Sequence, residues 1–184
     1  MSEYRELVAR GKDAYIAALT EIGWFTLPQN NKEQIMDRLS GYEDKEHFVL
    51  SLSHLTFDAE GFESADEYKQ VLHDMAGLAG VTFTSTHLDF SFFEEADTLN
   101  GEVTTANSNY WFELENLMGW FDPEIVDFMN ESVLSGEDIE GRIFDLPSVD
   151  QFVQFVFVPR EMYNKAIENG LIPEDAGYFV SDIE

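Results

Sequence analysis

Four histidines, His47, His54, His73 and His87, are the only side chains in this sequence that titrate near neutral pH or offer a ring nitrogen to a metal. There is no cysteine, hence no thiol nucleophile and no thiolate metal site. His87-x-Asp89-x-Ser91 falls at period two, which places all three on one face of a strand. A catalytic relay needs base and orienting group in contact, usually from different elements, so the triplet reads as a polar strand face. His73-Asp74 reads as a solvated helix end. Asp58-x-Glu60 opens like a calcium loop, but such a loop needs glycine at 63 and glutamate at 69, where Glu63 and Lys69 stand. Gly77-x-x-Gly80 lacks the lysine and helix context of a phosphate loop. These residues predict no enzyme, no cofactor and no dedicated metal centre, with a loose divalent-ion site among carboxylates as the alternative.

The abundant chemical group is the carboxylate. Thirty-seven Asp and Glu against ten Lys and Arg give a net charge of −27. Solubility needs a net charge of only about 2 to 8, and the excess costs stability through self-repulsion. In duplex DNA the same charge occupies about 46 Å, roughly 13 to 14 base pairs. No Lys or Arg lies between Lys69 and Arg142, although Asp and Glu recur from Asp74 to Glu140. Glu124, Asp127 and Glu131, three and four apart, share one helical face. The stripe continues through Glu137, Asp138 and Glu140, and Glu113 and Glu115 add to it from a neighbouring strand. Like charges at this spacing weaken a helix, so the stripe is the candidate partner-binding set. Glu60, Glu63, Asp66 and Glu67 sit at a helix N-terminus, where the dipole favours them. Trp111, Trp120, Phe121 and Tyr110 read first as core residues.

Such carboxylates can engage Lys and Arg side chains that evolved to grip phosphate. The surface disfavours direct nucleic-acid binding, since it would repel phosphates. The expected partner is a basic nucleic-acid-binding protein, and the expected activity is nucleic-acid mimicry against a restriction or CRISPR nuclease. The alternative is an immunity protein that neutralises a cognate basic nuclease toxin. Adaptation to high salt and a merely solvated acidic surface are the other readings. Against the former, the chain keeps 16 Phe.

The elements that must position these residues follow from periodicity. A helix is expected over residues 3–22, with Leu7, Val8, Tyr15, Ala18, Leu19 and Ile22 on one face and Gly23 at its end. Residues 24–27 read as a short strand, followed by a helix started by Asn30 and Glu33 and ended by Gly41. Residues 47–57 read as a strand. Ser64 and Glu67 form a capping box for a helix burying Tyr68, Val71, Leu72 and Met75. Period-two alternation over residues 81–93 and 102–115 reads as a central β-hairpin turning at Asn100-Gly101. Asp122-Pro123 starts a helix with Val126, Met129 and Val133 inward and Ser135-Gly136 as its stop. Residues 151–158 are an apolar strand, 160–169 a last helix, and 178–180 a terminal strand.

The expected fold is therefore α+β, about five helices packed on antiparallel sheet. Two halves are expected, residues 1–80 and 81–184, with one compact domain as the alternative. Gly23-Trp24-Phe25 and Leu39-Ser40-Gly41 echo in Gly119-Trp120-Phe121 and Leu134-Ser135-Gly136, which suggests pseudo-repeated halves. Residues 1–12 lack the apolar run of a signal peptide and no segment approaches a membrane span, so the expected location is the cytoplasm of a bacterial host.

The segment Gly23-Trp24-Phe25-Thr26-Leu27-Pro28, the helix after it, the 47–57 segment and the helix from Ser64 together resemble the N-terminal part of the ArdA antirestriction family. The resemblance covers roughly residues 15–78. It implies a phage- or mobile-element-encoded DNA mimic that blocks type I restriction enzymes, as a homodimer. Anti-CRISPR proteins use the same electrostatics on other folds.

Overall fold

A computed structural model describes residues 2–92 and 97–174. The expected strand over 178–180 lies outside the described residues. In chain order the elements are α1 (Glu3–Ala9), α2 (Lys12–Glu21), a 3-10 turn (Trp24–Thr26), α3 (Lys32–Gly41), a 3-10 segment (Lys45–Leu52), β1 (Leu55–Asp58), β2 (Glu60–Phe62) and α4 (Ala65–Leu78). There follow β3 (Ser85–Phe92), β4 (Asp97–Thr104), β5 (Asn109–Leu117), β6 (Gly119–Trp120) and α5 (Glu124–Asp127), which runs on as a π-helix (Phe128–Leu134). The chain ends in β7 (Gly141–Val149), β8 (Phe152–Pro159) and α6 (Arg160–Glu168). The fold is α+β with three antiparallel sheets, ordered β1-β8-β7, β2-β6 and β3-β4-β5.

The chain groups into two compact units. One unit is Met1–Thr56 with Phe144–Glu184, and the other is the continuous stretch Phe57–Ile143. The chain passes from one to the other inside β1 and returns inside β7.

In the discontinuous unit, Tyr15, Leu19, Trp24, Val49, Val156, Val158, Ala166 and Leu171 are fully buried together. The Tyr15 hydroxyl donates to the Leu171 carbonyl at 2.8 Å. Phe144 and Tyr163 stack with ring centroids 4.1 Å apart, and the Arg160 guanidinium lies over Phe144. The helix expected over 3–22 is two helices, because Gly11 takes φ +93°, a left-handed geometry that breaks the ladder. The expected strand at 24–27 is a 3-10 turn. Gly23 enters it at φ +81°, and the Thr26 hydroxyl donates back to the Gly23 carbonyl. The cap of α3 is Asn31, whose side chain accepts from the Gln34 N–H at 3.1 Å, and Asn30 is buried. Most of the expected 47–57 strand is 3-10 helix. Phe48, Val49, Leu50 and Leu52 are all buried, so the run carries apolar side chains on every side rather than alternating.

In the continuous unit the Ser64–Glu67 capping box is formed, and α4 buries Tyr68, Val71, Leu72 and Met75. Phe57, Phe62, Tyr68 and Phe121 pack ring on ring, and the Tyr68 hydroxyl donates to the Trp120 carbonyl at 3.1 Å. The expected hairpin is a three-stranded meander. Asn100 and Gly101 lie mid-strand in β4, opposite Asp89 and Leu88 of β3 and opposite Glu113 and Phe112 of β5. Gly101 is there for space: a Cβ would fall 2.1 Å from Phe112 Cε1 and 2.9 Å from Leu88 Cδ2. The strand β7 was also unmarked in the sequence.

The helix expected from Pro123 becomes π-helical after one turn. Its wider turn brings Phe128, Met129 and Asn130 inward consecutively, alongside Ile125, Val126, Val133 and Leu134. The buried Asn130 amide accounts for the widening: Nδ2 donates to the Ile143 carbonyl at 2.8 Å, and Oδ1 accepts the Ile143 N–H at 2.9 Å. The two members of the sequence echo do not fold alike. Trp24 is fully buried in a 3-10 turn, and Trp120 is half-exposed on β6.

Candidate protein-interaction surface

Two of the four histidines, His54 and His73, make structural contacts. His54 Nδ1 accepts the Phe157 N–H at 3.0 Å, so the proton sits on Nε2, 2.9 Å from Asn30 Oδ1. Asn30 Nδ2 in turn donates to the Trp24 carbonyl at 2.8 Å. Burial, with the nearby Arg38 charge, pushes the His54 pKa down to about 4. It is a neutral brace. His73 bonds Thr86 at 3.0 Å and packs edge-on against Phe83, docking α4 beside β3. Among the described residues no group of three or more His, Asp or Glu could hold a metal, and no helix is long and apolar enough to cross a membrane.

The carboxylates are unevenly shared. Residues 57–143 contain twenty Asp and Glu and two basic residues, Lys69 and Arg142, a net charge of −18 of the total −27. Arg142 spends its guanidinium locally, on the Ile139 and Gly141 carbonyls and on the Ser135 hydroxyl. The ion pairs Arg5–Glu46 at 3.2 Å and Lys165–Glu161 at 2.9 Å belong to the other unit.

The structure separates the sequence-predicted contact residues into two faces of the continuous unit. The π-helix packs on the meander through Phe128, whose ring lies 4.6 Å from that of Phe112. The inner sheet face carries Leu99, Val103 and Leu114, all buried. Glu124, Asp127 and Glu131 are exposed on the helical side away from that core, and Asp138 and Glu140 are exposed beyond its end. Glu113 and Glu115, one residue out of phase with Phe112 and Leu114, are exposed on the outer face of the meander. One surface cannot contain both groups.

Glu137 is held by internal hydrogen bonds. Its carboxylate accepts from Thr105 Oγ1 at 2.5 Å, Asn107 Nδ2 at 2.7 Å and the Tyr110 hydroxyl at 2.8 Å. Gly136 makes room for this, since a Cβ there would meet Tyr110. The Thr105 bond, with help from Tyr110 and Asn107, holds the Glu137 pKa below its ordinary value. The carboxylate thus ties the β4–β5 turn to the end of the π-helix. Glu137→Ala should destabilise this unit by about 1 to 3 kcal/mol in denaturant melts, three charge-assisted bonds being lost, and should leave partner affinity unchanged.

The outer meander face holds what periodicity alone did not assemble. Register aligns His87, Glu102 and Trp111 in one row, Asp89, Asn100 and Glu113 in the next, and Ser91, Thr98 and Glu115 in a third. Four carboxylates and no Lys or Arg occupy these rows. Strands about 4.8 Å apart and same-face residues about 6.8 Å apart set their spacing. The first two rows line a shallow groove of about 560 Å³, floored by Gly101 and Phe112, with Trp111 66% exposed beside it. Asp89, Glu102 and Trp111 were outside the predicted set because their assembly depends on β4, the strand that the Asn100-Gly101 turn signal concealed. No protein-family model matches the sequence, no curated protein matches it, and no solved structure matches the fold.

Proposed function

We propose that the protein is a non-enzymatic inhibitor that presents carboxylates where a nucleic acid presents phosphates, occupying the binding groove of a basic nuclease of a defence system. One observation carries this reading. The unit of residues 57–143 contains twenty carboxylates against two basic residues, one of which is committed to backbone carbonyls. That imbalance has no use in folding, because self-repulsion opposes compactness. It is useful against a cationic groove, where each carboxylate replaces a phosphate contact and association is steered by charge. The resemblance of residues 15–78 to the ArdA antirestriction family supports restriction enzymes as the first targets to assay, with CRISPR nucleases beside them.

The test is inhibition of DNA cleavage by a panel of such nucleases at several salt concentrations. Inhibition should be competitive with DNA and weaken steeply as salt rises. Replacing Asp89, Glu102, Glu113, Glu115, Glu124, Asp127, Glu131 and Asp138 with Asn or Gln should weaken it roughly thirtyfold at low salt, at about 0.5 kcal/mol for each of the four charges that one docking face presents. Inhibition that is insensitive to salt, or unchanged in the neutralised variant, would overturn the reading.

A further inference from the structure

We propose that the outer face of the β3–β4–β5 meander, rather than the helical stripe, is the surface that docks on the partner, and that Trp111 with Glu102 and Glu113 is a receptor for an arginine side chain. The proposal deepens the function above and rests on it.

Trp111 is the centre of the site. It is 66% exposed on a strand whose same-face neighbours are polar, so the core does not hold it there. Glu102 lies directly across on β4, a pairing that brings Cβ atoms to about 4.5–5.5 Å. Glu113 is two residues further along the same face, about 6.8 Å away. An indole face with carboxylates on two sides matches a guanidinium in three respects. The flat cation stacks on the ring, the ring's quadrupole attracts its charge, and its N–H fork reaches both carboxylates. A lysine ammonium would keep the charge attraction and lose the stack and the fork.

Charge complementarity selects the occupant of the whole face. The three rows carry Asp89, Glu102, Glu113 and Glu115 and no Lys or Arg. The groove of about 560 Å³ between Trp111 and His87 is open along the sheet and takes an extended basic segment. The helix from Glu124 to Leu134 carries Glu124, Asp127 and Glu131 but no exposed aromatic of its own, so these carboxylates attract cations without distinguishing between them. Trp is among the residues that most often dominate binding energy where they are buried by a partner, which an isolated carboxylate on a helix is not.

The test uses the intact protein, isotope-labelled, titrated with nona-arginine and with nona-lysine at near-physiological salt, following backbone amides and indole N–H signals by NMR. Nona-arginine should bind about tenfold more tightly than nona-lysine, with shifts centred on the Trp111 indole and the amides of β3, β4 and β5. Trp111→Ala should remove that preference, and Trp111→Phe should retain part of it. Glu102→Gln with Glu113→Gln should weaken nona-arginine more than nona-lysine, whereas Glu124→Gln, Asp127→Asn and Glu131→Gln together should weaken both equally. Because Trp111 is exposed, unchanged thermal melts of its variants show that the effect is local. If the peptides bind but perturb the helical stripe instead, or if the arginine preference survives in Trp111→Ala, the docking surface is wrong while the inhibitor reading stands. If neither peptide binds, both are wrong.

Discussion

Gly101→Val should cost the 57–143 unit about 3 kcal/mol or more, the largest effect expected of any single substitution on the sheet. The glycine sits mid-strand on β4, and any Cβ there would overlap the Phe112 ring and press on Leu88 Cδ2. The ring cannot yield freely, because its centroid packs 4.6 Å from that of Phe128 on the π-helix. Valine must therefore either bend β4 or expel Phe112 from the layer between sheet and helix. Overpacking of the first kind costs about 1–3 kcal/mol, and loss of a phenylalanine from a core about 3–5. Hydrogen exchange of the β3–β5 amides and denaturant melts measure the cost. Shrinking the obstacle provides the control: Phe112→Leu, itself destabilising, should recover part of the loss when combined with Gly101→Val. Additive losses in the double variant would show that the clash is not with Phe112.

The second large effect is a loss of stability on acidification, localised to the discontinuous unit. The folded pKa of His54 is about 4 against an ordinary 6.5, because the ring is buried and faces Arg38. Between those values the unfolded chain binds a proton that the folded chain refuses, so stability rises with pH in this window. The contribution is fully present above pH 6.5 and is lost as pH falls to 4, amounting to about 3 kcal/mol at 1.36 kcal/mol per pKa unit. Protonating Nδ1 also displaces the Phe157 N–H that bonds it. Across the whole molecule an opposing trend is expected, since neutralising carboxylates relieves the repulsion of a −27 chain. The site-specific readout is hydrogen exchange at Phe157 and its neighbours on β8 between pH 7 and pH 4. His54→Gln should be less stable at pH 7 and lack the acid-dependent step; a step that persists in this variant would assign it to another group.

Helices whose ends carry their own chemistry were legible in the sequence. Ser64 and Glu67 announce α4, and the apolar face of Tyr68, Val71, Leu72 and Met75 is the buried one. The α6 helix and β8 were equally plain. Short apolar runs were not. Trp24 to Leu27 and Phe48 to Leu52 have strand-like composition, and only burial on all sides turns them into 3-10 turns. Asn100-Gly101 misled most: a local turn signal and a demand for space beneath an aromatic ring choose the same residue, and only the partner strand's register distinguishes them. That one misreading hid β4, and with it the outer face on which Trp111 neighbours Glu102 and Glu113. The π-helix was invisible because its cause, the Asn130 amide paired to the Ile143 backbone, lies thirteen residues away in sequence. The acidic stripe was read correctly as exposed at Glu124, Asp127 and Glu131, whereas Glu137 looked the same from composition and is bound internally by three donors.

The interruption of one unit by the other has a kinetic consequence. The core around Tyr15, Trp24 and Val49 is completed by Val156, Val158 and Leu171, and the Tyr15–Leu171 bond spans 156 residues. The first 56 residues must therefore wait for the last quarter of the chain, while the β3–β4–β5 meander is built from one continuous stretch of sequence. Closing β1 onto β8 across a disordered insert carries a loop-entropy cost that largely vanishes once that insert has folded and brought its ends together. During synthesis the acidic unit is thus expected to be finished first, which shortens the loop that the late core must close.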